Sequence, residues 1–114
     1  MVINNAGLGT NGTFESLTKE QVGDLISVNV VHPTYLSKVA INYLEKREER
    51  SLLVNISTVM QEIDAPGYSI YAPSKAYIHH FADALGVELK CDSNKIDGML
   101  YSPGLVATKL NGCS

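Results

Sequence analysis

The chain has 114 residues, the size of one small domain, and 12 acidic against 9 basic side chains leave a net charge of −3. A hydrophobic share of 45% with 18% charged residues excludes a disordered or low-complexity chain. The slight acidity argues against a nucleic-acid surface, and no apolar run approaches the roughly 18 residues that span a bilayer. The start, Met1-Val2-Ile3-Asn4-Asn5, lacks the basic and apolar segments of a secretory signal, and Cys91 and Cys113 make neither a disulfide framework nor a zinc site. These features predict a soluble, intracellular globular unit.

Met1 to Asn4 is apolar for most of its length and reads as a buried strand. The string Gly7-Leu8-Gly9-Thr10-Asn11-Gly12 fits G-x-G-x-x-G, but a pyrophosphate fingerprint needs a helix opening at its third glycine. Thr13 to Leu17 intervene here, so a glycine-rich loop beside a cofactor or turn is the competing reading. Thr18 and Gln21 have capping-box spacing, and Val22, Leu25 and Ile26 follow at i, i+3 and i+4. Beyond Pro33, the residues Leu36, Val39, Ala40, Tyr43 and Leu44 form one helical face. Pro33 removes an N–H and crowds the turn before it, which predicts a break or kink between two helical pieces near Asn29 to Pro33. The charge run from Glu45 to Arg50 reads as a solvated helix end.

Leu52 to Ile56 forms a second apolar run, and Ile96 to Tyr101 a third, interrupted by Asp97 and Gly98. Gly67 to Tyr71 matches four residues of a nucleophile elbow without its final glycine, which leaves a hydrolase unsupported. Between these runs a helix is predicted over Ala72 to Leu89, with Pro73 in its first turn and Tyr77, Phe81, Ala84 and Leu85 on one face. Lys90 to Lys95 reads as a polar loop and Ser102-Pro103-Gly104 as a turn. The order predicts an α/β fold of parallel strands with right-handed crossovers, covered on both faces and forming one unit over residues 1–114.

His32, His79 and His80 have no ligand spacing with any cysteine or carboxylate cluster, so no metal site is predicted. The informative pair is Tyr71 and Lys75, one helical turn apart and about 6 Å along the axis. An ammonium beside a phenol stabilises the phenolate; lowering its pKa by two units asks for about 3 kcal/mol. The product would be a general acid/base near neutral pH. Tyr-x-x-x-Lys alone also describes an ordinary surface pair. Its context is more specific: Ser57 and Thr58 end the second strand, Asn4 to Gly7 the first, and Ser102 to Gly104 the third. Ligands of open parallel sheets bind at those carboxyl ends.

Together, Asn5-Ala6-Gly7, Asn29, Ser57-Thr58, Tyr71-x-x-x-Lys75 and Pro103-Gly104 followed by Thr108 resemble the short-chain dehydrogenase/reductase family over roughly Val2 to Leu110. The resemblance implies part of a Rossmann-like, doubly wound parallel sheet: about three strands with long crossover helices, without the first strands and the Gly-rich pyrophosphate loop. It implies NAD or NADP as cofactor and a small-molecule carbonyl/alcohol substrate. Tyr71 would transfer the proton, Lys75 would lower its pKa and hold the nicotinamide ribose, and Asn29 would hold a water linking Lys75 to solvent. Asn5, Ala6 and Gly7 would lie beside the adenosine side, and Pro103, Gly104, Val106 and Thr108 near the nicotinamide carboxamide. The family usually has serine at the position of Thr58, so the resemblance implies Thr58, or Ser57 beside it, as the catalytic hydroxyl. The segments Tyr71 to Tyr77 and Val106 to Leu110 are similar to the branch of 17β-hydroxysteroid dehydrogenases and very-long-chain 3-oxoacyl-CoA reductases. That branch slightly favours NADP, and the expected location is cytoplasmic, or the endoplasmic reticulum if the branch resemblance holds. The resemblance also implies homo-oligomers through the long helices. A truncated, inactive relative serving as an assembly module is the alternative.

Overall fold

A computed structural model of the chain describes residues 1–104 other than 11, 63, 93 and 94, and only the backbone at 60 and 61. Strands β1 (Val2–Asn4), β2 (Ser51–Ile56) and β3 (Ile96–Tyr101) form a parallel sheet in the order β1-β2-β3. Val2 stands opposite Leu53 and Asn4 opposite Asn55, while Ser51 pairs with Ile96 and Ile56 with Tyr101. Helices α1 (Lys19–Ile26) and α2 (His32–Leu44) fill the first connection, and α3 (Tyr71–Asp92) fills the second.

Successive side chains of a strand point to opposite faces, and here one face carries Val2, Asn4, Leu53, Asn55, Ile96 and Gly98. Leu53 and Ile96 form the core with Ala40 and Leu44 of α2 and Leu89 of α3; Val2, Ile41 and Leu85 pack against it. Both long helices therefore cover the same face, which differs from the expected cover on both. The reason is topological: strands that neighbour in chain order, joined by crossovers of one hand, deliver their helices to one side. The approach is closest at β3, where a Cβ on Gly98 would stand 3.0 Å from the Gly86 Cα of α3. Gly98 therefore does not interrupt the strand; it admits the helix.

The capping box forms as predicted: the Gln21 N–H donates to Thr18 Oγ1 at 3.1 Å and the Thr18 N–H to Gln21 Oε1 at 2.9 Å. The two helical pieces meet where expected, through continuous backbone rather than a break. A single π-helical turn over Ser27–Val31 joins α1 to α2, with the His32 N–H donating to the Ser27 carbonyl. Pro33 has no N–H for the carbonyl four residues back, and the wider turn absorbs that loss. Helix α3 runs through Asp92, so the polar segment expected as a loop from Lys90 begins as helix. Its buried side is Ile78, Ala82 and Leu89, while Ala84 is exposed and Tyr77, 39% exposed, stacks on Phe81 at 5.8 Å. Val39 and Tyr43 of α2 likewise face outward. No helix opens at Gly12, which has φ +123°; a 3-10 turn follows at Phe14–Ser16. Gly12 has left-handed backbone, and no α-helix N-terminus of the kind a pyrophosphate needs follows it directly.

Candidate active site

Parallel strands bring their carboxyl ends to one edge of the sheet. Below that edge lies a buried amide network that the sequence reading missed. Asn4 Nδ2 stands 2.9 Å from Asn55 Oδ1, 2.9 Å from the Pro33 carbonyl and 3.2 Å from Ser37 Oγ, so two hydrogens serve three acceptors. Two asparagines at equivalent same-face positions of apolar strands were the available signal. Their burial is tolerable only because each polar group finds a partner.

Asn29, 1% exposed in the π-turn, binds the Leu8 backbone in both directions: the Leu8 N–H donates to its Oδ1 and its Nδ2 to the Leu8 carbonyl, each at 2.8 Å. The same Nδ2 reaches Ser74 Oγ at 3.1 Å. Asn29 thus locks the loop after β1 to α3. The loop in turn places Gly7 against Lys75, since a Cβ on Gly7 would come 3.2 Å from Lys75 Nζ and 3.8 Å from Asn29 Oδ1. Asn5 and Ala6 are exposed beside it.

Ser57 and Thr58 follow β2 and are buried. The Ser57 N–H donates to the Tyr101 carbonyl at 2.9 Å, and its hydroxyl donates to the Lys75 carbonyl at 2.9 Å. Thr58 Oγ1 lies 3.4 Å from the Pro103 carbonyl, which also accepts from the Val59 N–H at 3.3 Å. These bonds seam the ends of β2 and β3 together. Ser102 Oγ, in the same seam, is buried without a partner among the described residues. Gly104 is exposed, and Val106 and Thr108 lie outside the described residues.

Tyr71 opens α3, half-buried, with the Tyr68 ring edge-on at 6.2 Å, and Lys75 is buried one turn later. Their electrostatics reverse the sequence-based expectation for the phenol. Burial, and secondarily Tyr68, raise the Tyr71 pKa above 10.0, while burial lowers that of Lys75 below 10.5. The ammonium rests over Gly7, and loss of water is the dominant influence on both groups. A phenol so placed is a protonated donor at neutral pH.

The glycine at position 7 leaves open the space a Cβ would fill beside the ammonium. Ser57 and Thr58 follow the carboxyl end of β2 directly, and Tyr71 and Lys75 lie in the first turns of α3. Among the described residues the glycine string offers no matching pyrophosphate cradle. The geometry therefore defines a class first: part of a Rossmann-like parallel α/β fold with polar groups at its strand ends.

The family model for short chain dehydrogenases matches residues 1–113, and the chain belongs to that family. It is 30% identical over 113 residues to a very-long-chain 3-oxoacyl-CoA reductase of Mycosarcoma maydis, covering 97% of this chain and 31% of that protein. It is 34% identical over 110 residues to the 11-beta-hydroxysteroid dehydrogenase-like 3 protein of Arabidopsis thaliana, covering 96% and 34%. A short-chain dehydrogenase from Sphingobium yanoikuyae, solved in complex with NADPH, superposes with a TM-score of 0.83 at 30% identity, covering 96% of this chain and 42% of that one. The chain thus spans about a third of the curated relatives it matches. Among the described residues no helix is long and apolar enough to cross a membrane, and no group of metal-binding side chains occurs.

Proposed function

We propose that the chain carries the proton-transfer half of an NAD(P)-dependent oxidoreductase that interconverts a carbonyl and an alcohol. The observation that carries this reading is the half-buried Tyr71 phenol one helical turn from a buried Lys75 whose ammonium lies over Gly7. Tyr71 donates its proton to the substrate oxygen, which the Thr58 hydroxyl helps to hold. The protonated phenol is the donor in carbonyl reduction, and the phenolate is the acceptor in alcohol oxidation. Lys75 binds the ribose hydroxyls, with Asn5, Ala6, Gly7, Pro103, Gly104, Val106 and Thr108 as further cofactor contacts. When bound, the nicotinamide supplies or accepts the hydride. Similarity to the short-chain dehydrogenase solved with NADPH supports NADP, and similarity to the very-long-chain 3-oxoacyl-CoA reductase supports a ketone on a long acyl substrate.

Titration of the folded 114-residue chain with NADPH, read by nucleotide fluorescence, tests the reading. Saturable binding that Lys75→Ala weakens about tenfold or more is expected, the loss of a charged hydrogen-bond donor being worth roughly 1.5–3 kcal/mol. Where the cofactor site is complete, Tyr71→Phe is expected to remove about 10²–10⁴ of ketone turnover and to spare NADPH binding. Near-normal turnover in that variant overturns the assignment of the donor. The second reading, a non-catalytic assembly module, is favoured by the outward Tyr35, Val39 and Tyr43 of α2. A folded chain without saturable NADPH binding supports it.

A further inference from the structure

We propose that Ser57 and Ser74 are positioning residues that clamp the peptide carbonyls of Lys75 and Tyr71 and so set where the ammonium and the phenol stand. The proposal deepens the oxidoreductase reading and rests on it. In an α-helix each carbonyl accepts one N–H from four residues on, which leaves a second lone pair. At Tyr71 that lone pair takes the Ser74 hydroxyl at 2.6 Å, and at Lys75 it takes the Ser57 hydroxyl at 2.9 Å. Both serines are buried, at 4% and 3% exposure, so these bonds do not compete with water.

A serine bonding back to its own helix is common and by itself says little. Ser74 goes further, because its oxygen also accepts from Asn29 Nδ2, whose amide is bonded both ways to the Leu8 backbone. The Tyr71 carbonyl is thereby referenced to the loop after β1. Ser57 comes from outside the helix altogether: its N–H is held by the Tyr101 carbonyl, so the Lys75 carbonyl is referenced to β2 and β3. Helix ends fray, and Tyr71 is the first residue of α3. Two clamps, tied to different strand ends, hold that first turn at the depth where burial perturbs both groups.

The experiment follows side-chain titration by NMR in the 114-residue chain, with lysine labelled at the ε-carbon and tyrosine at the ζ-carbon. Loosening either clamp hydrates its residue and returns it toward its ordinary value. Ser57→Ala is expected to raise the Lys75 midpoint by about half a pH unit, roughly threefold in proton affinity. Ser74→Ala is expected to lower the Tyr71 midpoint by a similar amount. Ser37→Ala removes a buried serine that touches neither carbonyl and is expected to move neither midpoint. Folded Ser57 and Ser74 variants that leave their own partners unmoved overturn the proposal, as does an equal shift in Ser37→Ala. If an alanine variant fails to fold, the cysteine replacement at that position, which keeps the volume and weakens the donor, is judged by the same criterion. The titrations need no cofactor, so a failure of NADPH binding sinks the oxidoreductase reading without altering this result.

Discussion

The two faces of the sheet are both largely apolar, yet they end in different states. On one, Val2, Leu53 and Ile96 lie under α2 and α3, and Leu53 and Ile96 are each 1% exposed. On the other, Ile3, Val54 and Met99 stand in register across the three strands beside Tyr101. Ile3, Met99 and Tyr101 remain 50%, 47% and 53% exposed. The only ion pair at that surface among the described residues is Arg50 with Asp97, at 2.7 Å and open to water, which is worth little. The polar amides sit on the covered face. Asn4 and Asn55 are sustained there because α2 supplies a carbonyl and a hydroxyl to complete them. Burial of polar groups and packing of helices are thus two sides of one arrangement.

The sharpest way to break this contrast is a matched pair of truncations. Leu53→Ala is expected to cost about 2–5 kcal/mol in denaturant unfolding through the cavity it opens, and Met99→Ala less than about 0.5 kcal/mol. Equal effects would mean that the exposed face is buried in solution.

A smaller effect is expected at the closest helix–sheet approach. Gly98→Ala puts a methyl 3.0 Å from backbone that has no flexible end to move aside, and is expected to cost about 1–3 kcal/mol. Gly23→Ala, at an α1 position with nothing within 4 Å, is expected to be neutral or slightly stabilising by the same unfolding measurement.

The smallest effect is a pH dependence at the rim of the covered face. Burial lowers Lys75 below 10.5, so the folded state binds fewer protons there than the unfolded state. Its contribution to stability is fully present above 10.5 and is lost as pH falls through the folded-state value. Tyr71 acts in the opposite sense, since its raised pKa adds stability below 10.0 that is lost as pH climbs through the folded value. Lys75→Met is therefore expected to raise the unfolding midpoint at pH 7, with the gain shrinking as pH approaches 10.5. A gain that stayed constant with pH would show that the buried charge is not its source.

Local chemistry made much of this protein legible before any coordinates. The capping box at Thr18, the three apolar runs and the Tyr71–Lys75 spacing each depend on residues within a few positions of one another. Their order placed the strand ends together and carried the family resemblance. The π-turn at Ser27–Val31 was half-legible: Pro33 marks the lost hydrogen bond, but whether a helix kinks or widens depends on what packs around it. Apolar residues nearly encircle α3, so periodicity set Leu85, which packs against the core, on one face with the exposed Ala84 without saying which side meets the sheet.

What the sequence determined by itself was the set of elements and the chemical groups at their ends, because helix caps, strand runs and i, i+4 pairs are short-range properties. Only the tertiary structure decided which face the helices cover, which carbonyl Ser57 holds, and which polar groups lose water. Those outcomes depend on desolvation and on contacts between residues 18 to 51 positions apart along the chain, such as Ser57 with Lys75 and Asn4 with Asn55. No local pattern carries that information.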